Sequence, residues 1–274
     1  MPHQDKPALT AKFTSFDQQA HAFDSRTGLT DPVAQAVAET ICSLAGTNQS
    51  GQILELGAGT GEIGVHLAAR SRGYIGVDES QGMLKQFEKR LSHKETARLV
   101  CGDANEAWPV PSGWADIVFG SRVFHLLQSD HLVKETIRTA RRGRAVFLLG
   151  RVVRDPDSVK SQMRTRMRHL LEKRGLTPRQ SNRQLKQLTS ALSEHGTRVK
   201  PTTAASWETA SKPAESIRSW SDKTTMGGIV PPNKQKQLVL EELHEWAVDH
   251  YGSLDTSIVS RERYVLEGVN LTIR

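Results

Sequence analysis

A chain of 274 residues with 37% hydrophobic and 24% charged residues is long enough for one large α/β domain with its own core. Cys42 and Cys101 are its two cysteines; they build neither a disulfide framework nor a zinc-ligand spacing, and a reducing compartment is expected. The first residues, MPHQDKPALTAKF, lack an apolar signal core, and no run is apolar for the ~18 residues a membrane span needs, so the chain reads as a soluble cytoplasmic protein. The net charge of +7 is uneven: residues 138–200 carry 17 Lys and Arg against 4 Asp and Glu, a net of +13, which leaves the remainder at −6.

The first element is a helix over 31–45, opened by Asp31-Pro32 as N-cap and first-turn residues. A strand at 52–56 and a helix at 60–70 follow, then a strand from Tyr74 to Val77 and a helix with Met83 or Leu84, Phe87 and Leu91 on one face. Arg98 to Cys101 forms the third strand, with Cys101 expected as a buried wall residue. Turn chemistry at Trp108-Pro-Val-Pro-Ser-Gly113 precedes a fourth strand at Ala115 to Phe119. A helix from Asp130 to Arg141 leads to a fifth strand at Ala145 to Leu149.

After Arg151 the pattern turns helical. Val159, Met163, Met167, Leu170 and Leu171 recur at helical spacing and put Arg164, Arg166 and Arg168 largely on solvated faces. This basic stretch reads either as a solvated helix or as a footprint for RNA, an anionic lipid surface or an anionic substrate. Thr177-Pro178 starts a helix that carries Leu185, Leu188 and Leu192 inward and stops at Gly196. A strand at Thr197 to Trp207 comes next, then a helix opened by Pro231-Pro232 with Val239, Leu243, Trp246 and Ala247 inward. The last strand, Arg263 to Ile273, places Val265, Glu267, Val269, Leu271 and Ile273 on one face. With no internal repeat or low-complexity linker, residues 1–274 read as a single domain, in which 151–257 is a helical cover.

The chemistry concentrates in Gln52 to Gly61, QILELGAGTG, where an apolar strand breaks into alternating glycines before a helix. Glycines at every second position let a ligand press on the backbone, and the exposed N–H groups of such a turn suit a nucleotide-type ligand. Gly59-Thr-Gly61-Glu-Ile-Gly64 fits the dinucleotide pattern, and Asp78 follows 19 residues after Gly59. Against a nicotinamide site stand Glu55, an acid before the glycines, and a third strand-end acid in Val100-Cys-Gly-Asp103-Ala.

The ordered series ILELGAGTG, YIGVDESQGML, LVCGDANEAWPV and ADIVFGSRVFHLL resembles the class I S-adenosylmethionine-dependent methyltransferases, in particular the small-molecule branch with the ubiquinone- and menaquinone-pathway enzymes. The resemblance is close over this core. It extends loosely to Phe23-Asp-Ser-Arg-Thr-Gly28, which implies that residues 1–30 are a substrate-side segment, and to the C-terminal half. It implies a Rossmann-like, doubly wound, seven-stranded and mostly parallel sheet, with helices on both faces and a C-terminal antiparallel strand.

It also implies a cofactor site. The Gly57–Gly61 turn, with Ala58, would take the methionine part of S-adenosylmethionine, and Asp78, with Glu79 beside it, the ribose hydroxyls. Asp103 would receive the adenine amino group, flanked by Ala104 and with Met83 on the ring. Glu55 would hold the glycine turn or the cofactor ammonium through water, Arg26 would pair with the cofactor carboxylate, and the Gly120-Ser121-Arg122 loop would complete the site.

Methyl transfer needs in-line alignment and a dry site, and for a hydroxyl or protonated nitrogen also a base. His125, in the SRVFHLL turn, is the candidate, and no metal site is expected. Gly-Ser-Arg-Val-Phe is not the Asn/Asp-Pro-Pro-Tyr/Phe segment of enzymes that methylate exocyclic base nitrogens, and neither cysteine stands in a Pro-Cys or Thr-Cys setting. The expected acceptor is a small molecule methylated on O or N. If it is anionic, Arg122, Arg151 or Arg154 would hold it, with Trp207, Trp220 and Trp246 as aromatic walls or buried packing. The alternatives are an RNA-modifying methyltransferase using the 138–200 face, a cofactor-binding protein without turnover, and a nicotinamide oxidoreductase.

Overall fold

The structure is a computed structural model that describes residues 29–47, 51–92, 96–179 and 181–273. The calls on Arg26, on the Phe23–Gly28 segment and on most of 1–30 lie outside the described residues.

In chain order the elements are α1 (Asp31–Leu44), β1 (Gln52–Leu56), α2 (Gly64–Ala69), β2 (Gly73–Asp78), α3 (Gln81–Arg90), β3 (Ala97–Cys101), β4 (Ile117–Ser121), a 3-10 turn (Phe124–Leu126), α4 (Ser129–Thr139) and β5 (Ala145–Arg154). Next come α5 (Val159–Lys173), α6 (Ser181–Ser193), β6 (Gly196–Ser211), α7 (Pro213–Ser221), α8 (Asn233–Tyr251) and β7 (Ile258–Leu271). The strands form one seven-stranded sheet in the order β3-β2-β1-β4-β5-β7-β6, with helices on both faces. The neighbours from β3 to β5 are parallel. β7 runs antiparallel to β5: the Gly143 N–H donates to the Ile273 carbonyl while the Asp155 N–H donates to the Arg261 carbonyl. The chain winds outward from β1 through β2 to β3, then returns to β4 on the other side of β1. That reversal opens a crevice at the carboxyl ends of β1 and β4, where open α/β sheets bind their ligands.

The chain divides into two compact units, one of residues 1–151, 183–205 and 264–274, the other of 152–182 and 206–263. The first has a core of Leu54, Leu56, Val118, Phe147, Leu149, Leu188, Leu192 and Val269, drawn from both its strands and its helices. β1 and β4 are buried nearly throughout, as strands covered on both faces are. The second unit has its own core, in which Val159, Met163, Met167, Leu170 and Leu171 of α5 meet Val239, Leu243 and Ala247 of α8. Their i, i+3, i+4 spacing is the reason α5 is a helix with one buried face. Ser158 caps it, its side chain accepting from the Ser161 N–H at 3.3 Å.

Several expectations shift. β5 continues to Arg154 instead of ending at Leu149, α2 is shorter than 60–70, and α7, opened by Pro213, was not foreseen. Cys101 is exposed, because β3 is the edge of the sheet; Cys42 is the buried cysteine. On β7 the side chains of Tyr264 and Leu266 are buried, on the parity opposite to the expected stripe, and the buried side changes at Gly268-Val269. Trp220 and Trp246 pack on the core of the second unit, with the Arg166 guanidinium over the Trp246 ring at 5.8 Å. Arg164 is exposed, whereas Arg166 and Arg168 are half-buried. No helix among the described residues is long and apolar enough to cross a membrane.

Candidate functional site

A cavity of about 210 Å³ lies in the first unit at the carboxyl ends of β1 to β4. Eleven of the residues singled out from the sequence line it: Glu55, Gly57, Ala58, Gly59, Asp78, Glu79, Met83, Asp103, Ala104, Ser121 and Arg122. Gly61 and His125 do not. Gly61 supports the turn from behind, since a Cβ there would stand 2.1 Å from the Phe87 ring. His125 belongs to the 3-10 turn whose neighbours Val123 and Leu126 do line the cavity.

Gly57, Gly59 and Gly61 all have positive φ, which L side chains rarely adopt. At Gly57 an added Cβ would sit 2.7 Å from Val123, so packing alone demands glycine. At Gly59 it would meet nothing closer than the Gly57 carbonyl at 4.0 Å. The space beside Gly59 is therefore left to the cavity.

Each acid has a different environment. Asp78 ends β2 and accepts the Gly59 N–H on one oxygen at 2.8 Å and the Ser80 N–H on the other at 2.9 Å, tying the β2 end to the glycine turn. Asp103 accepts both the backbone N–H and the side-chain amide of Asn105, and Asn105 in turn accepts the Gln128 N–H. The loop after Asp103 is fixed by buried Glu135, which accepts the Trp108 N–H and pairs with Arg138, while Arg138 also donates to the Trp108 and Val110 carbonyls. The Arg138 hydrogen bond holds the Glu135 carboxyl below its usual range.

Glu55 is buried on the cavity floor, where burial pushes its carboxyl up to about 8; the Tyr74 hydrogen bond opposes this, and Asp78 and Glu62 add to it. Its partner is the Tyr74 hydroxyl, which donates to it at 2.5 Å. Tyr74 has room because Gly76, the register partner of Glu55, and Gly64 both lack side chains: a Cβ at either would stand within 3.0 Å of that hydroxyl.

Sequence reasoning passed over Tyr74, Glu62, Asn105 and Tyr264. Glu62 and Asn105 line the cavity. Glu62 pairs with Arg122 at 3.0 Å and accepts the Leu29 N–H. Arg122 has φ of +61°, an uncommon conformation for a non-glycine residue and one that recurs at binding sites. Tyr264 donates to Ser121 Oγ at 2.7 Å. Only the strand register reveals these tyrosine contacts. Arg122 alone of the three proposed anion-holding arginines lines the cavity; Arg151 pairs with Glu267 and Arg154 with Glu262, each at 2.8 Å.

Residues 53–143 match the family model described as a methyltransferase domain. By this match, the strand-and-turn core of the first unit is similar to methyltransferase domains. It contains every described cavity-lining residue just named. The chain is 32% identical over 135 residues to the biotin biosynthesis bifunctional protein BioHC of Cellvibrio japonicus, a match over 49% of this chain and 26% of that protein. It is also 32% identical over 126 residues to an uncharacterised methyltransferase of Bacillus velezensis, over 46% of this chain and 54% of the relative. The chain thus spans about a quarter and about half of the length of these curated relatives. In fold it is similar to a candidate type II methyltransferase from Anaeromyxobacter dehalogenans, with TM-score 0.55 and 16% identity over 86% of this chain and 95% of that one.

Proposed function

We propose that the protein is an S-adenosylmethionine-dependent methyltransferase acting on an O or N atom of a small-molecule acceptor. The observation that carries this reading is the convergence of the Gly57–Gly59 turn, Asp78 and Asp103 on one cavity inside the stretch that matches the methyltransferase-domain model.

The donor set fits the cofactor. Asp78 and Asp103 stand at the ends of β2 and β3, where they would accept from ribose hydroxyls and from an adenine amino group, with buried Met83 against the ring. The open space at Gly59 leaves room for the chain that follows the nucleoside, toward Glu55, Glu62, Ser121 and Arg122. When bound, the cofactor supplies a methyl group on a positively charged sulfur, already a good leaving group.

What remains for the protein is alignment and exclusion of water. Ile63, Val123, Leu126 and Leu127 line the cavity and give it an apolar wall, which supports a small acceptor carried in a dry pocket. His125 is the base in this reading: it sits between Phe124 and Leu126, half-buried, and would take the proton of an O–H or N–H acceptor.

Thermal unfolding with S-adenosylmethionine, S-adenosylhomocysteine and NADH tests the cofactor. Stabilisation by the first two, absent with NADH and abolished in Asp78→Ala, is expected; stabilisation by NADH alone would replace this reading with an oxidoreductase.

A further inference from the structure

We infer that Tyr264 is a positioning residue: reaching over Gly150, it fixes the Ser121 hydroxyl as a hydrogen-bond donor to the carboxylate of the cofactor's amino-acid end. The inference rests on the cofactor reading above and assigns a role at the same site to a residue 143 positions downstream of Ser121.

The geometry is built for that contact. In the β4–β5 pairing Ser121 faces Gly150, and β5 lies between β4 and β7 in the sheet. A Cβ at Gly150 would stand 2.1 Å from the Tyr264 hydroxyl, so the phenol crosses β5 only because that position is glycine. Tyr264 is 1% exposed, and its hydroxyl lies 2.7 Å from Ser121 Oγ. A buried phenol must place its proton on a partner. Burial, the largest influence, raises the Tyr264 pKa and keeps that proton in place across the working pH range.

The consequence falls on Ser121. A serine hydroxyl has one proton and two acceptor sites. With one acceptor site taken by Tyr264, its own proton is turned away from the phenol, and Ser121 lines the cavity. A fixed donor there suits an anionic oxygen, because a hydrogen bond to a charged group is worth more than a neutral one.

The charges at this end point to the cofactor's zwitterionic amino acid. Arg122, next in sequence, brings a cation to the cavity, and Glu62, its ion-pair partner, and Glu55 bring carboxyl groups. Both signs lie side by side, as an ammonium and a carboxylate on one carbon require. The opposite end of the cavity, with Asp78 and Asp103, offers carboxylates and no cation among its lining residues.

On the other side of β1, Tyr74 of the adjacent strand β2 holds Glu55, its hydroxyl packed against Gly76 and Gly64. Two cavity-floor groups, one from β1 and one from β4, are thus each held by a buried tyrosine, Tyr74 of β2 and Tyr264 of β7.

Calorimetric titration of the full chain with S-adenosylhomocysteine and with 5′-methylthioadenosine, which lacks the amino-acid end, decides the matter. Ser121→Ala should weaken S-adenosylhomocysteine about tenfold and Tyr264→Phe severalfold, with the double variant no weaker than Ser121→Ala alone. 5′-Methylthioadenosine should bind all four proteins equally, which a merely structural role of Tyr264 would not give. Equal losses for both ligands, no loss for either, or additive losses in the double variant would each overturn the assignment. Failure of the wild-type protein to bind either ligand would instead remove the cofactor reading on which it stands.

Discussion

The two compact units of this chain are specified by different kinds of sequence information. In the first, cavity-lining residues stand where strands end: Gly57 and Gly59, whose positive φ admits few residue types, with Asp78, Asp103 and Ser121. In the second, the informative residues are the apolar positions of α5 and α8, which recur at helical spacing and fill a core. The contrast separates two demands on sequence. A packed helix face asks for volume and apolarity, which many residues supply, whereas a ligand-bearing turn asks for particular residues at particular positions.

The sharpest way to break the comparison is a pair of glycine substitutions in one turn. Gly61→Ala drives a methyl into the Phe87 ring at a positive φ and should cost roughly 3 kcal/mol or more of stability. Gly59→Ala meets open space and should cost about 1 to 2 kcal/mol for its backbone conformation while losing cofactor affinity to the added methyl. Unfolding curves paired with S-adenosylhomocysteine titration separate the two. Equal stability losses would show that Gly59, like Gly61, is there for packing.

In the second unit, Leu243→Ala removes a fully buried side chain from the α5–α8 core and should cost about 2–5 kcal/mol in denaturant unfolding. A loss below 1 kcal/mol would mean that this core is loosely packed.

Glu55 gives a test by pH. Its folded-state pKa of about 8 lies above the ordinary 4.5, so between those values the folded protein holds a proton that the unfolded chain releases. Stability contributed by this group is therefore full below about pH 4.5 and lost as pH rises toward 8, by roughly a few kcal/mol. Glu55→Gln should flatten that fall. An unchanged pH profile of the melting temperature would show that Glu55 is ionised on the cavity floor.

The smallest expected effect is at Arg151. Its ion pair with Glu267 is partly exposed, so Arg151→Ala should change stability by about 0–1 kcal/mol and leave cofactor affinity unchanged. A large rise in the acceptor KM would return Arg151 to the role the sequence suggested.

Much of the site was legible because strand-end turns are local. Four short motifs, each within about ten residues, carry the glycines and the acids, and their order along the chain is the order in which the sheet is wound. Tyr74 and Tyr264 escaped for the opposite reason: their contacts depend on which residue of a neighbouring strand stands opposite, and register is set by tertiary pairing. The expected stripe on β7 missed Tyr264 because the buried side changes at Gly268-Val269, which a strict two-residue alternation does not anticipate. Cys101 was placed inside because its strand reads as apolar; the position of β3 at the sheet edge leaves it exposed. The extension of β5 to Arg154 was hidden by charges in RVVR that are neutralised by Glu262 and Glu267 on β7.

The most direct test of the central claim is a crystal structure of the full chain with S-adenosylhomocysteine. The account predicts the nucleoside between Asp78 and Asp103 and the amino-acid end beside Ser121 and Arg122, with the glycine turn along the chain between them. Density in the reverse orientation, or a ligand bound away from this cavity, would contradict it.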